Sequence, residues 1–203
     1  MNRRPDVAER HVQQGLATRR RILEAARELL EEHPWADVSI ARVAQGAGVG
    51  RTAFYRHFDD RRALLNELFR ELSDELEATP AAWQELDDAE PEARLREALV
   101  ALTEVFVVHG RLLNALAEEA ARDVDIANAY YRLGARLSAG VAERIARDVA
   151  SGRSVLSDPS EVAAALVWMN ERYLRERFGR KPLGDPERAA AALAEVWLRS
   201  VYG

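Results

Sequence analysis

The sequence predicts an all-α protein of about nine helices, arranged as a small N-terminal three-helix part and a C-terminal helical bundle. Apolar residues recur at intervals of three and four along most of the 203-residue chain, the spacing that places them on one face of a helix. No segment after residue 91 has the alternating pattern typical of a strand. Proline and glycine signals separate the apolar stripes, so each stripe predicts a helix of its own.

Three segments are expected along the chain. Residues 1–16 mix charges without a sustained apolar period, which favours a flexible tail. Residues 17–77 form a first domain, in which a helix begins near Thr18 and a later helix connects to the second domain. Residues 78–203 form that second domain, and Thr79-Pro80 marks the boundary because helices commonly end before a proline.

Two short helices joined by a glycine turn are predicted within residues 38–65. Ser39 precedes an apolar-periodic run, where its hydroxyl can accept a hydrogen bond from a backbone N–H of the first helical turn. Gly46 ends this helix, and Gly48 permits the positive φ that a sharp turn requires. Asp60 can cap the next long helix.

The second short helix, near residues 50–58, has one apolar and one basic face. At about 100° per residue, Phe54 and Phe58 share the apolar face. A solvated face on a small core helix is the simpler interpretation. The two helices, the glycine turn and the division of faces nevertheless favour a helix-turn-helix that binds phosphates and base edges. The opposite face carries Arg51, Thr52, Tyr55 and Arg56.

At these positions the sequence resembles the TetR family of bacterial repressors. The family pattern is a helix, a glycine turn, and a Phe-Tyr-x-x-Phe helix followed by a basic residue. The C-terminal part is similar to the EthR-like subgroup, so the resemblance covers nearly the whole chain. The matching residues are Phe54, Tyr55, Phe58 and Arg61, followed by residues 168–172 (WMNER) and 196–203 (VWLRSVYG).

DNA contacts are expected from both short helices and from the start of the next helix. Arg61 lies at that start, where a phosphate can meet its guanidinium and a helix N-terminus. His57 either contacts a phosphate, as the resemblance implies, or packs within the domain. The candidate DNA-binding residues are Ser39, Arg42, Arg51, Thr52, Tyr55, Arg56, His57 and Arg61.

Charge is divided unevenly between the two parts of the chain. The net charge is −5, yet residues 1–62 hold 12 arginines against 9 acids, a net of +3, which leaves −8 for the remainder. A locally basic surface attracts the DNA backbone. Because Lys181 is the single lysine, the charged contacts would come from guanidinium groups.

Several other classes of protein are not indicated. The chain has no cysteine, which excludes a disulfide framework and a Cys-ligated metal. No apolar run approaches the roughly 20 residues of a membrane span, and residues 1–6 lack a signal-peptide core, so we expect a cytoplasmic protein. The four histidines fall in separate segments without metal spacing, and no nucleophile elbow, Walker A loop or GxGxxG occurs. We therefore expect no catalytic site, no cofactor and no bound metal.

The second domain is predicted to consist of successive amphipathic helices. His109-Gly110 is expected to interrupt the first of them, because glycine is a poor helix former. The segment from Val162 to Met169 is apolar on every side, and the last helix is rich in alanine, so these two helices are expected to pair in a homodimeric four-helix bundle. The predicted helices begin near residues 91, 111, 125, 159 and 185.

A ligand cavity is the second candidate site. Leu102 and Phe106 share one helix face, and Asn170 is the first polar residue after eight apolar ones. For an isolated buried asparagine a structural role is the favoured interpretation. The resemblance instead implies that Asn170 binds a lipophilic ligand, in a cavity large enough for a drug-sized molecule. The candidate ligand-binding residues are Leu102, Phe106, Tyr131, Asn170, Leu174 and Trp197.

Together these observations predict a dimeric DNA-binding transcriptional regulator, a repressor released from a palindromic operator by a small hydrophobic effector. Two alternatives remain open. One is a helical small-molecule or lipid-binding protein, or an enzyme, without DNA binding; such a protein has no reason to display the basic face of the second short helix. The other is a regulator of the same type that responds to a protein partner or to no effector, which a filled cavity would favour.

Overall fold

The computed structural model describes residues 7–84 and 90–203, and in these residues every regular element is helical. The predicted all-α class is confirmed, with eight α-helices rather than about nine in the described part of the chain. The helices are α1 (Val7–Glu32), α2 (Ile40–Gly46), α3 (Arg51–Tyr55), α4 (Arg61–Gln84), α5 (Pro91–Ala120), α6 (Val124–Ala150), α7 (Pro159–Phe178) and α8 (Pro186–Val201), with a 3-10 turn at Trp35–Asp37.

The helix starts follow from the side chains that precede them. Ser39 accepts a hydrogen bond from the backbone N–H of Arg42, which satisfies one of the donors that the first turn of α2 leaves unpaired. Asp158 and Asp185 cap α7 and α8 in the same way, and a proline follows each of them at the first helical position. The predicted starts of α2, α7 and α8 are thus confirmed.

The chain divides into two compact units, residues 1–68 and 69–203. The first unit contains α1, α2, α3 and the beginning of α4, around a core in which Trp35, Phe54 and Phe58 are the largest buried rings. The division falls inside α4, earlier than the boundary predicted at residue 77. α4 also continues through Pro80 to Gln84, so Thr79-Pro80 does not end this helix.

The second unit is organised around α5, which packs against α6, α7 and α8, while α6 also packs along α7. The predicted interruption of α5 at His109-Gly110 is wrong, because α5 runs unbroken to Ala120. Gly110 serves a close approach instead. A Cβ added there would lie 2.7 Å from the backbone carbon and oxygen of Phe178, a separation that no ordinary side chain can adopt.

Two further expectations need correction. α1 begins at Val7, so residues 7–16 are helical and do not belong to a tail; residues 1–6 lie outside the described part.

By length and composition α5 is also long and apolar enough to cross a membrane, although the sequence was expected to contain no such run. Its buried residues, among them Leu95, Phe106 and Leu116, belong to the core of the second unit, and a core helix of this kind passes the same test.

Candidate nucleic-acid interface and internal cavity

α3 has the two faces that the sequence predicted. Phe54 and Phe58 are buried in the core of the first unit, with ring centroids 5.7 Å apart. Arg51, Thr52, Tyr55 and Arg56 are all exposed on the opposite side. Among the described residues Arg51 and Arg56 form no ion pair, so their guanidinium groups are available to an external anion. This face suits phosphates and base edges.

The turn before α3 aims this face outward. Gly48 has a φ of +63°, as predicted, which is a conformation that side-chain-bearing residues rarely adopt. The backbone N–H of Val49 donates to the carbonyl of Ala44, which closes the turn. α2 and α3 are therefore joined by a short, hydrogen-bonded turn, the arrangement of a helix-turn-helix.

Arg61 has a different environment from the one predicted. Its Nη1 donates to the carbonyl oxygens of Trp35 (3.1 Å), Val38 (3.2 Å) and Ala36 (3.3 Å), and its guanidinium lies 4.7 Å from the centre of the Trp35 ring. Arg61 thereby fixes the 3-10 turn against the start of α4. These contacts give Arg61 a role in the scaffold of the helix-turn-helix, and a phosphate contact from Arg61 stays a prediction.

Arg42 is also engaged within the first unit. Its Nη1 donates to the carbonyl of Asp37 at 3.3 Å, and its Nη2 lies 2.6 Å from Nε2 of His33. These contacts tie the first turn of α2 to the segment before it. A DNA contact from Arg42 stays a prediction, and it would compete with both of these hydrogen bonds.

His57 lies in the turn just after α3 and is half-buried beside two arginines. Burial lowers the pKa of its imidazole below the ordinary value, and the positive charges of Arg19 and Arg56 lower this pKa further. The ring is therefore neutral near pH 7 in the free protein. A phosphate placed beside it would reverse the sign of the local potential and favour the protonated ring.

The second unit contains a partly open apolar cavity of about 100 Å³ between α4, α5, α6, α7 and α8. This volume is below the 150 Å³ or so of a cavity that holds benzene, so a drug-sized ligand requires side chains to move. Four of the six predicted residues line the cavity: Leu102, Phe106, Asn170 and Trp197. The complete lining is Leu76, Leu95, Ala98, Leu99, Leu102, Phe106, Leu113, Tyr130, Leu133, Gly134, Leu137, Val141, Val167, Trp168, Asn170, Glu171 and Trp197.

The other two predicted residues are not in the lining. Tyr131 is 62% exposed, and its neighbour Tyr130 faces the cavity instead. Leu174 is fully buried but contributes to the core rather than to the cavity wall. The apolar period of α6, with Ile126 and Leu133 three or four residues from Tyr130, indicates the correct tyrosine.

Two polar groups stand in the apolar wall. The indole Nε1 of Trp197 donates to Oδ1 of Asn170 at 2.9 Å, and both side chains are buried. An indole N–H can only donate, so this bond identifies the accepting oxygen of the amide and leaves the Asn170 NH₂ as its remaining donor.

The second polar group is a chain of three residues that sequence reasoning missed. The Tyr130 hydroxyl donates to Oε1 of Glu171, and Nε of Arg175 donates to the same oxygen at 2.6 Å. Burial raises the pKa of the Tyr130 phenol, and the negative charge of Glu171 raises it further. The phenol therefore remains protonated at neutral pH. Its hydroxyl keeps donating to Glu171 and so fixes this carboxylate in the cavity wall.

Trp168 was also missed as a cavity residue. Its ring lies between Tyr130, at 6.3 Å, and the exposed Tyr131, at 5.6 Å. Gly134 makes room for it, because an added Cβ would lie 2.5 Å from Cζ2 of this indole. The signal in the sequence was the apolar run of residues 162–169, which predicted burial without indicating a cavity.

Comparisons with known proteins match the N-terminal and the C-terminal part of the chain to two family models. Residues 22–68 match the family of bacterial regulatory proteins of the tetR family, and residues 95–203 match the C-terminal domain of the transcriptional regulator EthR. The HTH-type transcriptional regulator EthR of Mycobacterium tuberculosis is 30% identical over 185 residues, which cover 90% of this chain and 86% of that protein.

Two further relatives were found by sequence and by structure. The HTH-type transcriptional repressor Rv1474c of the same organism is 28% identical over 190 residues, or 93% of this chain and 94% of that protein. The crystal structure of the regulator PfmR from Thermus thermophilus superposes with a TM-score of 0.73 at 22% identity, covering 89% of this chain and 98% of that one.

Proposed function

The chain belongs to the TetR family of helix-turn-helix transcriptional regulators, and from this premise we propose that it binds a palindromic operator as a homodimer and represses transcription. A small lipophilic effector in the cavity of the second unit releases the operator. The protein acts on DNA in the cytoplasm, binds no membrane and catalyses no reaction. The alternatives without DNA binding are not favoured, because the relatives named above are transcriptional regulators.

The exposed face of α3 carries this proposal. Arg51 and Thr52 stand at its N-terminal end, the part of a recognition helix that reaches base edges in the major groove. Three further exposed side chains suit phosphate contacts: Tyr55, Arg56 and Ser39. Such contacts fix the position of the protein along the DNA duplex. His57 adds a further phosphate contact, which gains strength on protonation.

The homodimer is proposed to form through the outer faces of α7 and α8. Val196 is 42% exposed, and Ala165, Ala191 and Ala192 are exposed as well, so small apolar side chains allow close helix approach. A homodimer carries two α3 helices, one for each half-site of a palindromic operator. Leu193 is 3% exposed within one chain, so this side chain stabilises the subunit rather than the dimer.

The proposed effector is a mostly apolar molecule with one hydrogen-bond acceptor. The cavity wall is hydrophobic apart from a few polar groups, and the Asn170 NH₂ is a donor that a carbonyl or ether oxygen can accept from. Because the cavity holds only about 100 Å³, the ligand must enlarge it by displacing side chains. Such a ligand binds more tightly to a conformation with low operator affinity than to the conformation that binds DNA. The shift in the equilibrium between these two conformations is limited by the difference in the ligand's affinity for them.

Selection of DNA by the purified protein tests the proposal. The protein is mixed with a pool of random-sequence duplexes, and the retained fragments are sequenced over several rounds. We expect enrichment of a two-fold symmetric sequence, with half-sites separated by about one helical turn. A variant with Arg51 and Arg56 both replaced by Gln is the matched control and should enrich nothing. A pool that remains random with the wild-type protein would contradict the proposal.

A further inference from the structure

Arg19 lies on α1, outside the helix-turn-helix, yet it contacts His57 and Phe58, just past the end of α3. Its Nη1 donates to the carbonyl of His57 at 3.2 Å. Its Nη2 pairs with the carboxylate of Glu67 on α4 at 2.7 Å. Its guanidinium carbon also lies 4.5 Å from the centre of the Phe58 ring. One side chain thus joins three elements of the first unit.

The position of the His57 carbonyl gives this contact its importance. His57 lies two residues past the end of α3, in the turn that leads to α4. The guanidinium of Arg19 donates to its carbonyl and so holds this turn in place. The Phe58 ring beside it is buried and packs on Phe54, so Arg19 also covers the edge of the core beneath the recognition face.

The ion pair is less exposed to solvent than a neighbouring pair on the same helix. The side chains of Arg19 and Glu67 are 31% and 12% exposed. Arg20 and Glu24 are 76% and 53% exposed and lie 3.5 Å apart, and such a surface pair contributes little. A planar guanidinium held by a shielded carboxylate, a carbonyl and a ring has a fixed geometry.

We propose that Arg19 and Glu67 are positioning residues for DNA readout. They hold the turn that follows α3 against α1 and α4, and so set the orientation at which Arg51 and Thr52 meet the base edges. Arg19 acts through the His57 carbonyl and Phe58 rather than by touching DNA. The inference rests on the proposed function, and it extends that function to a pair of residues outside the recognition face.

The test compares Arg19→Gln, Glu67→Gln and the double variant, with Arg20→Gln as the matched control on the same helix. Dissociation constants are measured for a fragment selected by the wild-type protein and for a scrambled duplex of equal length, at several salt concentrations. We expect each single variant to weaken binding of the selected fragment by about tenfold, the scale of one lost base contact, because Arg51 and Thr52 would no longer be aligned with the base edges. Binding of the scrambled duplex should change much less. The salt dependence should stay that of the wild type, since no phosphate contact is lost, and Arg20→Gln should behave as wild type.

The double variant supplies the second criterion. Because both residues act through one contact, it should bind the selected fragment no more weakly than the poorer single variant. A purely structural role would instead lower the melting temperature and weaken both duplexes in the same proportion. If Arg19→Gln does not fold, the test is made with Glu67→Gln, which retains the arginine. Its loss of affinity for the selected fragment is compared with its loss for the scrambled duplex.

Three results would overturn the inference. Equal losses on both duplexes, together with a salt slope reduced by about one phosphate for each subunit, would make Arg19 a direct phosphate contact. If Arg19→Gln and Glu67→Gln both bind the selected fragment with wild-type affinity, the two residues have no positioning role. The proposed function would be unaffected by that result. Failure of the wild-type protein to select any duplex would contradict the proposed function itself.

Discussion

Replacing Asn170 with leucine takes the acceptor away from the buried indole N–H of Trp197. The two side chains are 5% and 2% exposed, so water does not replace the lost partner. A buried donor that loses its acceptor destabilises a protein by about 1–3 kcal/mol. The buried leucine offsets part of this loss, so we expect a net destabilisation of about 1–2 kcal/mol. For a chain of this size that corresponds to a melting temperature lower by roughly 2–8 °C.

A double-mutant cycle with Trp197→Phe isolates the hydrogen bond. Trp197→Phe removes the donor, and the double variant removes both partners at once. The free energy of unfolding is measured by urea denaturation followed by circular dichroism, at one fixed protein concentration because dimerisation affects apparent stability. We expect the double variant to be more stable than the sum of the single changes by about 0.5–3 kcal/mol. Additivity within about 0.5 kcal/mol would refute the reasoning.

The same variant tests the ligand role of the Asn170 amide. Lipophilic amides, esters and ketones are screened by thermal shift against wild type, and a ligand at a hundredfold excess over its dissociation constant stabilises by about 2.7 kcal/mol. Asn170→Leu should lose much of this response to carbonyl ligands while still binding to the operator. Ligands without a polar group are the control and should stabilise both proteins alike. Equal stabilisation by carbonyl ligands would place the polar anchor elsewhere.

Three further predictions follow from individual side chains. Burial and two neighbouring arginines lower the pKa of His57 in the free protein, and a phosphate raises this pKa in the complex, so His57 takes up a proton on binding. Operator affinity should therefore increase as the pH falls from the pKa of His57 in the complex towards its lowered pKa in the free protein, and His57→Gln should abolish that part of the pH dependence in binding titrations. Val196→Asp should yield a folded monomer in light scattering, whereas Leu193→Asp should unfold the subunit; a dimeric Val196→Asp protein would exclude the proposed interface. Arg61→Ala should lower the free energy of unfolding by about 1–3 kcal/mol and leave the salt slope of DNA binding unchanged, and a reduced slope at wild-type stability would restore its phosphate role.

Local signals in the sequence predicted most helix starts, because they depend on neighbouring residues. Ser39, Asp158 and Asp185 cap helices where expected, and the turn at Gly48 needs a positive φ that glycine adopts readily. Gly110 shows the limit of such signals. A glycine within an apolar stripe can end a helix or admit another chain segment, and only the approach of Phe178 distinguishes the two.

The roles of single side chains depended on tertiary contacts that the sequence does not display. Arg61 stands where a phosphate contact is expected, but the carbonyls that it binds come from residues more than twenty positions away. The run of three arginines that contains Arg19 did not indicate its contacts, because its partners His57 and Glu67 are distant in sequence. On α6, the apolar period indicated Tyr130, whereas the family resemblance had suggested Tyr131.

The salt dependence of operator binding tests the central claim most directly. If the exposed face of α3 meets the DNA backbone, each neutralised phosphate contributes about −0.9 to the slope of log affinity against log salt concentration. The wild-type homodimer should therefore show a steep negative slope on its selected fragment. Arg56→Gln should make that slope shallower by about two, one phosphate for each subunit. A slope near zero for the wild-type protein between low and physiological salt would contradict DNA binding through this face.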